Sequence, residues 1–189
     1  MTMLKLGHDR TTEYTAGQTF GQFLGSVTEN ADLWRALARR ASVPDDLDAL
    51  VRRVPGNWNI LVLLEDWCGD AVNIVPVLAR LVERSASLSM RVLRRDQNLG
   101  LMDQHLTNGK RAIPVVMILD DHLREVAWWG PRPRELQQWA TTLGLSLGKP
   151  DRYREMRRWY ATDRGRTTLS EVIQELCHAS GVRCGQAAA

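Results

Sequence analysis

The feature that most constrains the fold is an apolar run, W-N-I-L-V-L-L, that is followed after a short acidic segment by a helical pattern. The run occupies residues 58–64 and is preceded by the turn sequence P-G-N. A continuous apolar run of this length is typical of a strand buried on both faces. The segment A-V-N-I-V-P-V-L-A-R-L-V-E-R then has apolar residues at three- and four-residue spacing, which indicates a helix. Together these patterns predict an α/β fold.

The rest of the chain repeats this alternation. L-S-M-R-V-L-R reads as a second strand, and I-P-V-V-M-I-L and E-V-A-W-W read as two more strands whose short connection, D-D-H-L-R, suits a hairpin. Alternating strands and helices predict parallel pairing, and the hairpin adds an antiparallel edge. We therefore expect a mixed central sheet of about four strands flanked by helices. A helical extension is expected at residues 1–57, the α/β domain at 58–146, and helices packed on that domain with a frayed tail at 147–189.

Composition excludes several classes of function. The net charge of +3 over 189 residues is small, so we expect neither a nucleic-acid nor a membrane partner. No apolar stretch approaches the roughly 18 residues that a membrane span needs, and the N-terminal residues lack the apolar segment of a secretory signal. Three scattered cysteines do not suggest a disulfide framework, which favours a reducing, cytoplasmic location. The sequence does not indicate an oligomeric state.

Four local motifs resemble those of the thioredoxin fold, in the same order and at the same spacing. W-C-G-D-A resembles the thioredoxin W-C-G-P-C motif, and Pro76 matches the proline of the following helix. R-A-I-P-V at 111–115 resembles the thioredoxin cis-proline segment, and W-W-G-P-R-P resembles the end of the last strand. The resemblance spans about residues 58–143, and it implies a thioredoxin fold with a cis peptide bond at Ile113–Pro114.

Over most of its length the chain is similar to a bacterial branch of thioredoxin-like proteins whose members share W-C-G-D and vary at the second cysteine. The resemblance to thioredoxins implies that Cys68 is the catalytic nucleophile in thiol–disulfide exchange. The substrate-binding positions that it implies are Trp67, Gly69, Asp70, Ile113, Pro114 and Val115. No bound cofactor is implied.

Two substitutions depart from the thioredoxin pattern. Ala71 stands where the resolving cysteine would be, and Val62 stands where thioredoxins have a buried aspartate. The resemblance therefore implies a monothiol route, in which Cys68 forms a mixed disulfide with a protein or with a small thiol such as glutathione and an external thiol releases it. The alternative is a binding module without catalysis that holds an extended peptide at residues 113–114.

The charge around Cys68 favours neither function. A cysteine at a helix N-terminus faces unpaired backbone N–H groups, which favour the thiolate. Three carboxylates, those of Glu65, Asp66 and Asp70, are expected to surround Cys68 and disfavour it. The same residues could suggest a metal site, but their local spacing argues against one. The four histidines, His8, His105, His122 and His178, are expected to face solvent or cap helices.

The remaining candidates lie near the C-terminus. Cys177 lies on the apolar face of the last predicted helix, so we expect a buried, inert thiol, and Cys184 is the alternative resolving thiol for Cys68. Residues 149–166 hold seven basic and three acidic residues. We expect an amphipathic helix with a solvated arginine face there, in preference to a nucleic-acid-binding surface.

Overall fold

The computed structural model describes residues 7–182 and 184 and has a four-stranded sheet at its centre. The strands are β1 (Trp58–Leu64), β2 (Leu88–Arg94), β3 (Val115–Leu119) and β4 (Glu125–Trp129), in the order β2-β1-β3-β4. β1 and β2 pair in parallel, whereas β3 is antiparallel to both β1 and β4. The mixed sheet that the sequence predicted is thus confirmed.

Nine α-helices accompany the sheet in the described part of the chain. They are α1 (Thr11–Ala16), α2 (Phe20–Ser26), α3 (Ala31–Arg40), α4 (Asp45–Val51), α5 (Ala71–Arg84), α6 (Leu99–Met102), α7 (Arg134–Thr141), α8 (Lys149–Asp163) and α9 (Arg166–Ala179). Short 3-10 turns occupy Arg95–Gln97 and Leu143–Ser146. α5 packs against α3, α9 and β2, and α9 also contacts α4 and β4. Among the described helices, none is both long enough and apolar enough to cross a membrane.

The two central strands form the core. All five residues of β3 are buried, and in β1 every residue except Asn59 is buried. This burial on both faces explains why β1 reads as a continuous apolar run rather than as an alternating one. Val62, at the position where thioredoxins have an aspartate, is fully buried and pairs with Val92 and Val116 on either side.

The N-terminal helices hold the β1–α5 junction in place. Trp34 of α3 is fully buried, and its Nε1 donates to the carbonyl oxygen of Asp66 at 2.8 Å. The Phe23 ring packs edge-on against it at 5.1 Å between centroids. The Asp66 carboxylate in turn accepts backbone N–H groups from Thr28 and Glu29. The extension therefore supports the turn that contains the W-C-G-D motif.

His105 is buried and does not face solvent, but its Nδ1 lies 2.9 Å from the carbonyl oxygen of Leu101 in α6, which is the helix-capping role expected of the histidines. Its Nε2 lies 2.6 Å from Glu125 Oε1, and Arg10 Nε donates to Glu125 Oε2 at 2.7 Å. Burial raises the pKa of Glu125, but His105 and Arg10 outweigh burial and hold it below its ordinary value. This cluster ties the start of the described chain to β4.

Cys177 is buried, as expected, but it forms a disulfide with Cys184, which contradicts the expectation of a free thiol. Gly181 has a φ of 73° and turns the chain at the end of α9, so the Val182 N–H donates back to the Cys177 carbonyl. Cys184 is thereby brought over the last helical turn, with a Cα–Cα distance of 5.8 Å. The cysteine count consequently no longer argues for a reducing compartment.

Other expectations concern residues outside the described part of the chain. The segment examined for a secretory signal includes residues 1–6, and the predicted frayed tail includes residues 183 and 185–189. Both sets lie outside the described residues.

Candidate functional site

Cys68 lies in the turn between β1 and α5 and is 7% exposed. Its sulfur accepts the Ala71 N–H at 3.4 Å, in the first turn of α5. On the other side the S–H donates to the carbonyl oxygen of Ile113, also at 3.4 Å. Two of the predicted site residues, which are distant in sequence, are thus in direct contact.

Ile113 belongs to the segment that leads into β3. The Ile113–Pro114 peptide bond is cis, as is Gly130–Pro131 at the end of β4. Gly130 has a φ of 136°, and a Cβ at this position would lie 2.2 Å from the carbonyl oxygen of Pro114. Only glycine can therefore bring the end of β4 this close to the segment that faces Cys68.

Cys68 lies at the base of an open cleft of about 550 Å³. Trp67, which is 46% exposed, forms one side, and the Arg95 guanidinium lies 4.8 Å from the centre of its ring. α8 forms another side with Tyr153, Met156 and Arg157. We expected this helix only to pack on the core, so its part in the cleft was missed.

The predicted substrate-binding residues divide into two groups. Trp67, Gly69, Asp70 and Ile113 line the cleft with Cys68. Pro114 and Val115 are buried and do not line it. Within the described residues, no group of three or more His, Cys, Asp or Glu side chains could hold a metal ion.

Asp70 is the centre of a buried polar cluster beside Cys68. Arg132 Nη2 lies 2.6 Å from Asp70 Oδ2, and the Tyr160 hydroxyl donates to Oδ1 at 2.9 Å. Burial raises the pKa of Asp70 above its ordinary value, against the lowering effect of Arg132 and Tyr160. Burial and Asp70 likewise raise the pKa of Tyr160. The Nε of Arg132 is buried and has no hydrogen-bond partner among the described residues.

Sequence reasoning missed Arg132 and Tyr160. The W-W-G-P-R-P motif is interpreted above only as the end of the last strand, although its arginine makes the contact with Asp70. A buried carboxylate such as that of Asp70 needs a charged or hydrogen-bonding partner. This requirement indicates that Asp70 has a partner elsewhere in the chain. The requirement does not identify which of the many arginines is that partner.

The environment of Cys68 disfavours the thiolate. Burial, followed by the charge of Asp70, raises the pKa of Cys68 to about 11. The backbone N–H groups of Ala71 and Asp70, and the charge of Arg132, lower it by less. At pH 7 a thiol with this pKa is ionised in only roughly one molecule in ten thousand. Cys68 is therefore a neutral hydrogen-bond donor in the resting protein.

The expectation that three carboxylates surround Cys68 is wrong for two of them. Glu65 and Asp66 turn toward the end of β2, where Arg94 Nη1 lies 3.2 Å and 3.4 Å from their carboxylates. Of the three, Asp70 is the carboxylate whose charge, after burial, does most to raise the pKa of Cys68. The direction in which each side chain leaves a turn depends on backbone geometry that sequence spacing does not specify.

A second thiol within the motif is absent, because Ala71 is fully buried at the resolving position. Cys184, the alternative resolving thiol, is bonded to Cys177, so the hypothesis of a Cys68–Cys184 pair is wrong for this structure. Among the described residues Cys68 is the free cysteine. Any mixed disulfide at Cys68 would have to be released by an external thiol.

The comparisons with known proteins support the family and the fold. A thioredoxin family model matches residues 17–144, and the chain therefore belongs to the thioredoxin family. A crystal structure of a protein of unknown function from Pseudomonas aeruginosa is similar, with a TM-score of 0.72 and 16% identity over 92% of this chain and 99% of that one. An HIV epitope-scaffold protein is similar at a TM-score of 0.70, with 16% identity over 90% of this chain and 98% of that one. No curated protein matches the chain.

Proposed function

We propose that the chain is a thioredoxin-fold binding module that holds an extended peptide segment in the cleft above Cys68. The observation that carries the proposal is the state of Cys68, whose S–H donates to the Ile113 carbonyl and whose pKa is about 11. A cysteine in this state is a poor nucleophile. The cleft above Cys68 is nevertheless open. A site of this kind can bind a peptide without catalysing a reaction.

The backbone at the cleft edge supports recognition of a peptide. Within the described residues, the Ile113 N–H and the Ala112 carbonyl take part in no hydrogen bond. An extended peptide can pair with such groups as an added strand would, and its main chain then supplies affinity. Trp67 offers a large, exposed ring beside this edge, where one side chain of the peptide would pack.

Selection from a random peptide library displayed on phage tests the proposal. We expect selected peptides whose affinity falls about tenfold or more in Trp67→Ala, because an exposed aromatic anchor is removed. Binding should persist in Cys68→Ser, which keeps a hydrogen-bond donor toward Ile113. The matched control is Trp128→Ala, since Trp128 is also exposed, at 36%, but lies outside the cleft. Peptides that bind Trp67→Ala as tightly as the unmodified protein would contradict the proposal.

Monothiol exchange is the second candidate, and the position of Cys68 favours it. The sulfur lines the cleft and accepts the Ala71 N–H at the start of α5. A Cys68 thiolate would attack the sulfur of a glutathione mixed disulfide, take over the glutathionyl group and release the substrate thiol. A second glutathione would then attack the Cys68 adduct, regenerating the thiol and leaving oxidised glutathione. Turnover of such a substrate that Cys68→Ser abolishes would establish this function and exclude binding without catalysis.

A further inference from the structure

A second cavity adjoins the Cys68 cleft. It has a volume of about 600 Å³ and lies between α3, α5 and α8. Leu33, Asn73, Arg157 and Tyr160 line both the cleft and this cavity. The cleft and the second cavity therefore adjoin, and we refer to the two together as the groove, which extends from Cys68 along α5.

The second cavity combines an apolar floor with positive charge. Leu37 and Val77 contribute apolar surface, while the exposed Arg40, Arg157 and Arg164 lie around it. None of these three arginines forms an ion pair with another described residue. The described residues that line this cavity include no aspartate or glutamate.

The arginines of the Cys68 cleft differ in this respect, because acidic side chains neutralise three of them. The pairs are Arg132–Asp70, Arg111–Asp103 and Arg95–Asp96. Uncompensated positive charge is therefore concentrated at the far end of the groove. A ligand with carboxylates at that end would replace water around guanidinium groups that no carboxylate of the described chain occupies.

We propose that the groove selects acidic peptides, with Asp or Glu side chains at Arg40, Arg157 and Arg164 and apolar side chains on the floor between them. This inference rests on the proposed function, since the same peptide would pair with the backbone at Ile113 and continue past Tyr160. A peptide fits better than a free lipid or a small acid, because the second cavity shares lining residues with the cleft that contains this backbone edge. Helix α8 is then a wall of the cleft and supplies Arg157 to the groove, while Arg164 directly follows α8 and Arg40 ends α3.

The library selection tests this inference through the composition of the selected peptides. We expect Asp and Glu to be enriched on one side of the segment that packs on Trp67. Arg40→Gln combined with Arg157→Gln should weaken those peptides about tenfold, because two carboxylate partners are lost. Arg39→Gln combined with Arg53→Gln is the matched control, since both arginines are exposed and lie outside the groove. It removes the same charge and should leave affinity unchanged.

The outcomes separate this inference from the proposed function. Suppose that the selected peptides depend on Trp67 but are not enriched in Asp or Glu and bind the Arg40/Arg157 variant normally. This result would overturn the inference and leave the proposed binding module intact. A selection without any Trp67-dependent peptide would overturn both. A fluorescent single-stranded oligonucleotide that loses binding in the same variant, while the peptides do not, would overturn the inference in favour of nucleic acid.

Discussion

Replacing Gly130 with alanine is expected to destabilise the fold by about 3 kcal/mol. The backbone at Gly130 has a φ of 136°, which favours glycine, and the added Cβ would lie 2.2 Å from the Pro114 carbonyl oxygen. Because that neighbour is backbone, β4 or the segment before β3 must move. The same movement would displace Ile113 from Cys68, so binding should fall together with stability.

Gly109→Ala is the matched control for this substitution. Gly109 also has a positive φ, of 71°, but a Cβ there meets nothing within 4 Å. Gly109→Ala should therefore lower the free energy of unfolding only by the cost of a positive φ in a residue with a side chain, about 1 kcal/mol. Urea denaturation of the two variants and the unmodified protein gives both values. Equal losses in the two variants would show that the contact between Gly130 and Pro114 does not constrain the site.

Asp70→Asn is expected to increase the rate at which Cys68 is alkylated at pH 8 by roughly tenfold or more. The substitution removes the negative charge that, after burial, does most to raise the pKa of Cys68. It also leaves the positive charge of Arg132 uncompensated beside the sulfur. Both changes favour the thiolate. The rate is measured with iodoacetamide by mass spectrometry of the peptide that contains Cys68.

Glu65→Gln is the control for charge near the motif. Glu65 is three residues from Cys68 in sequence, but its carboxylate faces Arg94. Glu65→Gln should therefore leave the alkylation rate of Cys68 unchanged. A combined Asp70→Asn and Arg132→Gln variant should return the rate toward that of the unmodified protein, which unfolding alone would not do. An equal increase in Glu65→Gln would contradict the assignment of Asp70 as the carboxylate that acts on Cys68.

Much of the fold could be predicted because it depends on local patterns. The apolar run of β1, the helical spacing of α5 and the hairpin of β3 and β4 each follow from the periodicity of a short segment. The placement of Cys68 and Ile113 in one site followed from the resemblance of two separate motifs to a known fold. Spacing alone would not have brought residues so far apart in the chain together.

The polar partners of the site could not be predicted in the same way. Asp70 meets Tyr160 across 90 positions of sequence, and the side of the turn that each carboxylate faces depends on the backbone after β1. The sequence also shows α8 as an ordinary amphipathic helix. Arg157 of α8 becomes part of a candidate recognition surface only when α3, which supplies Arg40, and α5 lie beside it.

The most direct test of the account is the pH dependence of Cys68 alkylation in the unmodified protein, with Cys68→Ser as the baseline. Burial and Asp70 raise the pKa of Cys68 to about 11. The rate should therefore keep rising past pH 8.5, the ordinary thiol value, without reaching a plateau. A plateau at or below about pH 7 would mean a thiolate at neutral pH. That result would contradict the binding module and support monothiol exchange.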